Sequence, residues 1–169
     1  PIMVQNSSDY EIGTQDFCIE VWIRFEDLPS DQYAWIPVIY QYNDNNNYWA
    51  FLITIYDYAY LLEFRQVVSG VNNIAVYRDF GSPSADTWYH LAVSRESGIF
   101  RFFVDGVKKT TQFGGSPVPD SENAESILNT SANKAINGIN YDPFIFKWPV
   151  TVNMDEFRLS IGTARWTAD

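Results

Sequence analysis

The sequence predicts an all-β fold: a two-sheet antiparallel sandwich. Three observations carry that prediction. The composition is aromatic, with 12 Phe, 11 Tyr and 6 Trp among 169 residues, and aromatic and β-branched side chains favour strands. Large apolar residues alternate with polar ones from end to end, the period of strands with one buried face. Clusters of Gly, Pro, Asn, Asp and Ser separate the alternating runs, as turns separate antiparallel strands.

The elements follow in order. "IMVQ" opens as a short strand. In "DFCIEVWIRF", Phe17, Ile19, Val21, Ile23 and Phe25 point one way and Cys18, Glu20, Trp22 and Arg24 the other. "AWIPVIYQY", "NYWAFLITIY", "AYLLEFRQV" and "NIAVYRDF" come next, separated by "YNDNNN", "YDYA" and "VSGVNN". "WYHLAVSR" and "IFRFFVDG" form a hairpin about "ESG", with Tyr89, Leu91 and Val93 opposite Trp88, His90, Ala92 and Ser94. Phe100, Phe102 and Val104 share a face, and Arg101 and Phe103 take the other. In the last run, "VNMDEFRLSIG", strict alternation groups Asp155, Phe157 and Leu159 against Met154, Glu156 and Arg158. Residues 111–135 break the rhythm. They are rich in Gly, Ser, Pro and Asn and read as a long surface connection with a helical turn over 121–128. Such a segment is either a crossover between sheets or a functional loop.

Length sets one domain over 1–169 as the expectation. The chain starts directly on a strand and stops without a terminating signal, which reads as a piece of a longer protein. The net charge of −10 argues against a nucleic-acid partner, which calls for clustered Lys and Arg, and against an anionic membrane surface. No run approaches the roughly 18 apolar residues of a membrane helix, and no secretory signal is seen. Cys18 is the single cysteine, so no internal disulfide can form.

Three blocks resemble a known family. "YEIGTQDFCIEVWIRFEDLP" at 10–29, "WYHLAVSRESGIFRFFVDGV" at 88–107 and "VNMDEFRLSIGTARWT" at 152–167 are similar, in order, to the opening, the central hairpin and the closing strand of laminin-G-like domains. The resemblance implies a concanavalin A-like jelly roll with one concave and one convex sheet. It implies an extracellular or virion-surface location, since such modules occur in bacterial extracellular proteins and in phage virion and tail proteins. It implies a glycan or a neighbouring virion or cell-surface protein as partner, and in some members a structural Ca2+. A homo-oligomer and a purely structural capsid or tail role are compatible with it. The family's usual approach to the last strand is replaced here by "FKWPVTVNMDE", so loop specificity does not carry over.

Glycosidases on this fold carry a Glu-x-Asp-x-x-Glu or Glu-x-Asp-x-Glu pattern on one strand. The last strand offers Asp155 and Glu156, which are adjacent and face opposite sides, with Asn153 where a Glu would stand. A retaining pair about 5–5.5 Å apart cannot be built from it. No nucleophile elbow, phosphate-binding glycine loop or second histidine is present. The expectation is therefore a non-enzymatic binding module, the alternative being a carbohydrate-active enzyme or its accessory domain.

The candidate site is the face opposite the core: Glu20, Trp22, Arg24, His90, Arg101, Phe103, Glu156 and Arg158. Two explanations stand beside contact with a partner protein. One is a lattice of ion pairs and cation–π contacts that stiffens the sheet. The other is a sugar-binding face, an aromatic stacking on a pyranose while charged groups bond its hydroxyls. Tyr42 and Tyr48, flanking "NDNNN", are further contact candidates, and Tyr58 and Tyr60 lie beyond them. Asp155, grouped with Phe157 and Leu159, is expected to point inward. A buried carboxylate must be paired, hydrogen-bonded or metal-bound, so Asp155 is either a plain hydrogen-bonded anchor or, with Asp16 or Asp9 and as the family resemblance allows, a candidate calcium ligand.

Overall fold

The computed structural model describes residues 2–29, 32–136 and 151–167. Its strands are β1 (Ile2–Val4), β2 (Phe17–Phe25), β3 (Tyr33–Asp44), β4 (Asn47–Tyr56), β5 (Ala59–Val68), β6 (Val71–Gly81), β7 (Trp88–Glu96), β8 (Ile99–Val104), β9 (Val107–Lys108), β10 (Ser121–Glu122), β11 (Lys134–Ile136) and β12 (Val152–Ile161). They form two sheets of six strands. The first runs β1-β11-β3-β4-β5-β6 and the second β10-β8-β7-β2-β12, with β9 paired to β8. Every pairing is antiparallel. The expected all-β sandwich is what forms.

The alternation places the core where expected. Phe17, Ile19, Val21, Ile23 and Phe25 are all fully buried. With Leu91, Val93, Phe100 and Phe102 they meet Trp49, Phe51, Ile53, Leu62, Phe64 and Ile74 from the other sheet. Phe64 touches Phe17 at 5.4 Å, Phe100 at 5.2 Å and Trp49 at 5.9 Å between ring centroids. Such tilted and offset contacts add to the area buried. The tight hairpins turn on residue pairs with positive φ at both positions, Asp57-Tyr58, Ser69-Gly70, Ser97-Gly98 and Asp105-Gly106. That geometry matches the twist of the strands it joins.

Residues 111–135 depart from the expected loop. No helical turn forms over 121–128: Ser121–Glu122 instead adds β10 to the edge of β8, and Ile127 bridges to Gly13. The segment crosses from the second sheet to β11 in the first. Its backbone is held by polar side chains that project from core-facing strand positions. Arg78 donates to the Pro119 carbonyl at 2.6 Å, and Arg95 to those of Glu125, Gly13 and Gln15 at 2.9, 2.7 and 2.6 Å. Gln66 bonds both the Ser126 carbonyl and the Leu128 N–H, and Gln41 the carbonyls of Thr130 and Ala132. A buried backbone group needs a partner, and these four side chains supply them.

The last strand departs too. Its register against β2 shifts between Asp155 and Arg158, and Glu156 adopts φ +50°. This bulge inserts one residue and resets the alternation. Val152 and Met154 therefore face the core before it, and Phe157, Leu159 and Ile161 after it. Asp155 is exposed and opposite Trp22 on the outer face, not inward. Tyr42 and Tyr48 belong to β3 and β4 rather than to a loop, and Tyr48 is buried. Tyr60 is buried and donates to the Pro29 carbonyl at 3.2 Å. The distinctive approach to the last strand, up to Val150, lies outside the described residues.

Arg95 offers the sharpest check of this construction. Arg95→Ala strands the Glu125 and Gln15 carbonyls, leaves Gly13 with only the Ile127 N–H, and removes cover from the Phe17 and Phe100 rings, which the guanidinium approaches at 5.2 and 5.8 Å. The expected loss is about 3 kcal/mol of unfolding free energy, read from the urea midpoint. Arg95→Lys should recover only a small part, because a point charge cannot serve carbonyls on two segments at once.

Candidate functional site

The outer face of the second sheet is built by the alternate residues of β12, β2 and β7, with β8 beyond. Cross-strand register puts them in rows. Asp155, Trp22 and His90 form one row, and Asn153, Arg24 and Trp88 the next. Arg158, Glu20, Ala92 and Phe103 form a row on the other side of Trp22. Beyond that come Ser160, Cys18, Ser94 and Arg101. The expected set thus assembles in its main part: Glu20, Trp22, His90, Phe103 and Arg158 are neighbours.

Half of this face is closed by the chain itself. After β12 the backbone turns at Gly162, whose N–H bonds the Asp16 carbonyl at 2.7 Å, and residues 162–167 fold back over the sheet. Trp166 Nε1 donates to Glu20 Oε2 at 2.8 Å, and its carbonyl accepts from Ser94 Oγ. Its ring lies 5.3 Å from His90 and 5.5 Å from Phe103. Glu20 is the hub. Arg158 Nη1 meets its other oxygen at 2.9 Å, with Arg165 Nε at 3.5 Å and His90 Nε2 at 3.6 Å from the carboxylate. On this half the stiffening lattice is what the geometry shows, with Trp166 as its cap.

The other half is open. Trp22 and Trp88 are 36% and 42% exposed, large values for tryptophans standing on a sheet. Arg24 lies between them in the ladder, its guanidinium 5.7 Å from the Trp88 ring and 3.5 Å from Asp86. Asp155 is exposed, with one carboxylate oxygen taking the Glu156 N–H at 2.8 Å. Asn153 donates to Glu26 at 3.1 Å. His90 joins the two halves: its ring is 5.3 Å from both Trp22 and Trp166. Adjacent strands lie about 4.8 Å apart and same-face residues about 6.6 Å apart along a strand. The two rows therefore span about 7 by 10 Å, with flat apolar surfaces beside acceptors and donors.

The remaining expected residues lie elsewhere. Arg101 points to a separate cluster, paired with Glu96 and Asp120 at 3.2 Å each, with Lys108 at 3.7 Å from Asp120. Glu156 is the bulge residue and leaves the row. Tyr42 and Tyr48 stand in the other sheet. Asp16 caps the Ser97 N–H at 2.7 Å. It precedes Phe17, which pairs with Ile161, whereas Asp155 pairs with Trp22. That separation is about 20 Å along the strands, so the two carboxylates do not fit one ion. Asp9 sits in a 3-10 turn, Ser8–Tyr10. Among the described residues no group of three or more His, Cys, Asp or Glu could hold a metal ion.

Sequence reasoning passed over Trp88, although it lies two residues before His90 on the same face. It also passed over Arg165 and Trp166, which follow the last strand and carry no alternation signal. Cys18 is their dependent: it is an outer-face residue, yet fully buried. Burial, with the Glu20 charge beside it, pushes the thiol up to about 12. A raised thiol pKa stabilises the fold below the unfolded value of 9.0. That stability is lost as pH climbs toward about 12, because the unfolded chain ionises first. Cys18→Ala should therefore lose less stability than the parent between pH 9 and 11, by on the order of 2 kcal/mol in urea titrations at the two pH values.

Comparison with known proteins places this geometry. The family model described as "Concanavalin A-like lectin/glucanases superfamily", Laminin_G_3, matches residues 4–159. No curated protein matches the chain. Among solved structures, domain 4 of AbnA, an extracellular GH43 arabinanase from Geobacillus stearothermophilus solved with arabinotriose, is 21% identical with TM-score 0.55, covering 90% of this chain and 63% of that one. A botulinum neurotoxin type C structure, described with two ganglioside molecules, is 15% identical with TM-score 0.60, covering 93% and 35%. The enzymatically active domain of bacteriophage CBA120 tailspike protein 2 is 11% identical with TM-score 0.58, covering 96% and 25%. The chain thus spans less than two thirds of each of these structures, and at such identities the likeness is one of fold. With the family model matching most of the chain, the protein belongs to the laminin-G-like family of the concanavalin A-like lectin/glucanases superfamily.

Proposed function

We propose that the protein is a non-enzymatic carbohydrate-binding module that works in adhesion at an extracellular or virion surface. The observation that carries this reading is the open half of the second sheet. Two exposed tryptophans, Trp22 and Trp88, stand in ladder register with Asp155, Asn153, Arg24 and His90. A pyranose has a flat C–H face and a rim of hydroxyls. The indoles offer surface to the first, and the carboxylate, amide, guanidinium and imidazole offer donors and acceptors to the second. Fixed strand positions hold these groups without loop ordering, which limits the entropy lost on binding. The fold neighbours described with arabinotriose and with gangliosides support a glycan as ligand class, and the tailspike supports a virion setting.

A glycan array probed with labelled protein tests this. Binding to a defined glycan is expected, and Trp22→Ala and Trp88→Ala should each weaken it at least tenfold, about 1.4 kcal/mol, with the melting temperature unchanged within a few degrees. Silence across the array, or full binding by both variants, would overturn the reading.

A further inference from the structure

We propose that residues 162–167 form a strap that opens as a unit while the sandwich stays folded, and that the closed strap sets the position of His90 in the open site. The second half of this inference rests on the glycan reading for what His90 does there; the first half stands without it.

The strap carries no strand pairing. It starts at Gly162, whose φ of +80° suits a pivot. Past that point it is held by side chains converging on one carboxylate, Trp166 Nε1 and Arg165 Nε on Glu20, by Ser94 on the Trp166 carbonyl, and by the Arg165 N–H on the Cys18 sulfur. Few backbone bonds, and side-chain contacts centred on a single carboxylate, mark a segment from the low-stability end of a fold, able to open below the global cost. Beneath it the core rows of β2 and β7 keep all their ladder bonds when it lifts, since none of those passes through the strap.

The same seat reaches the open site. Glu20 Oε2 accepts the Trp166 indole N–H at 2.8 Å and lies 3.6 Å from His90 Nε2. The imidazole is packed between Trp166 and Trp22. Removing Trp166 takes away one wall of the imidazole and one partner of the carboxylate that faces it. A group that binds only with His90 held in place would favour the closed strap, and by linkage the closed strap would favour that group equally.

The chain supplies its own reporters. Cys18 is its only cysteine and lies under the strap, and His90 is its only histidine. A buried thiol is unreactive, whereas an opened one regains ordinary reactivity. Labelling Cys18 with a disulfide reagent under native conditions should proceed with a shallow urea dependence, since the slope scales with the surface exposed. Trp166→Ala should label at least tenfold faster, and Trp166→Phe, which keeps a ring but loses the indole N–H, should fall between. If Trp166→Ala does not fold, Trp166→Phe and Arg165→Ala carry the comparison. The His90 ring-proton resonances in NMR should shift in each folded Trp166 variant. Labelling with the full urea slope of global unfolding, or at an unchanged rate in the variants, overturns the strap. Unmoved His90 resonances overturn its link to the site. Neither readout involves a glycan, so a silent array leaves both results interpretable.

Discussion

A sandwich of two sheets has an open side, and the segment crossing it must bury backbone groups that no strand can satisfy. This constraint organises the molecule. The chain meets it by placing Gln41, Gln66, Arg78 and Arg95 at core-facing positions of β3, β5, β6 and β7, where apolar residues would otherwise continue. Each reaches the crossing segment and bonds its carbonyls. The cost of burying a guanidinium is offset only because its donors are used, and two of the four residues are arginines whose forks serve more than one segment. The long connection is therefore part of the core's lid, and it ends as β11 in the first sheet because these contacts lead it there.

The outer face of the second sheet repeats the logic with the sign reversed. Glu20 is a carboxylate removed from water, and it gathers Arg158, Arg165, His90 and the Trp166 indole. Since β2 lies between β12 and β7, one carboxylate ties three strands and the C-terminal segment together. Two residues further along the same strand the situation changes. Trp22 has no cap and keeps a third of its surface in water. One strand thus presents a closed polar lattice and an open aromatic site in succession, and His90 belongs to both. The stiffening lattice, posed by the sequence as one of two alternatives for these residues, occupies one half of the surface, and the proposed sugar-binding face is the other.

Much of the fold was legible in the residues themselves. Period-two alternation sorted β2, β7 and β8 into core and outer faces correctly, down to Phe17, Leu91 and Phe102, because a strand's side chains alternate whatever surrounds it. It failed where the backbone slips. The bulge at Glu156 exchanged the sides of Met154 and Asp155, and a candidate calcium ligand became a surface carboxylate across from Trp22. A bulge at a non-glycine residue leaves no mark in the pattern. Residues 121–128 misled for a related reason: their short bridges are made by distant partners, Phe100, Ile99 and Gly13, not by local preference.

The sequence by itself determined the class of fold, the strands, and which side chains of each strand could share a face, since these follow from local periodicity and turn chemistry. Only the tertiary structure decided which strands lie side by side, and hence that Asp155, Trp22 and His90 form a row while Arg101 and Tyr42 stand apart. It alone brought Trp166 onto Glu20, contacts separated by 146 positions in the chain. No periodicity reports such a meeting, because it is set by where the last strand delivers the chain and by the need of one buried carboxylate for partners.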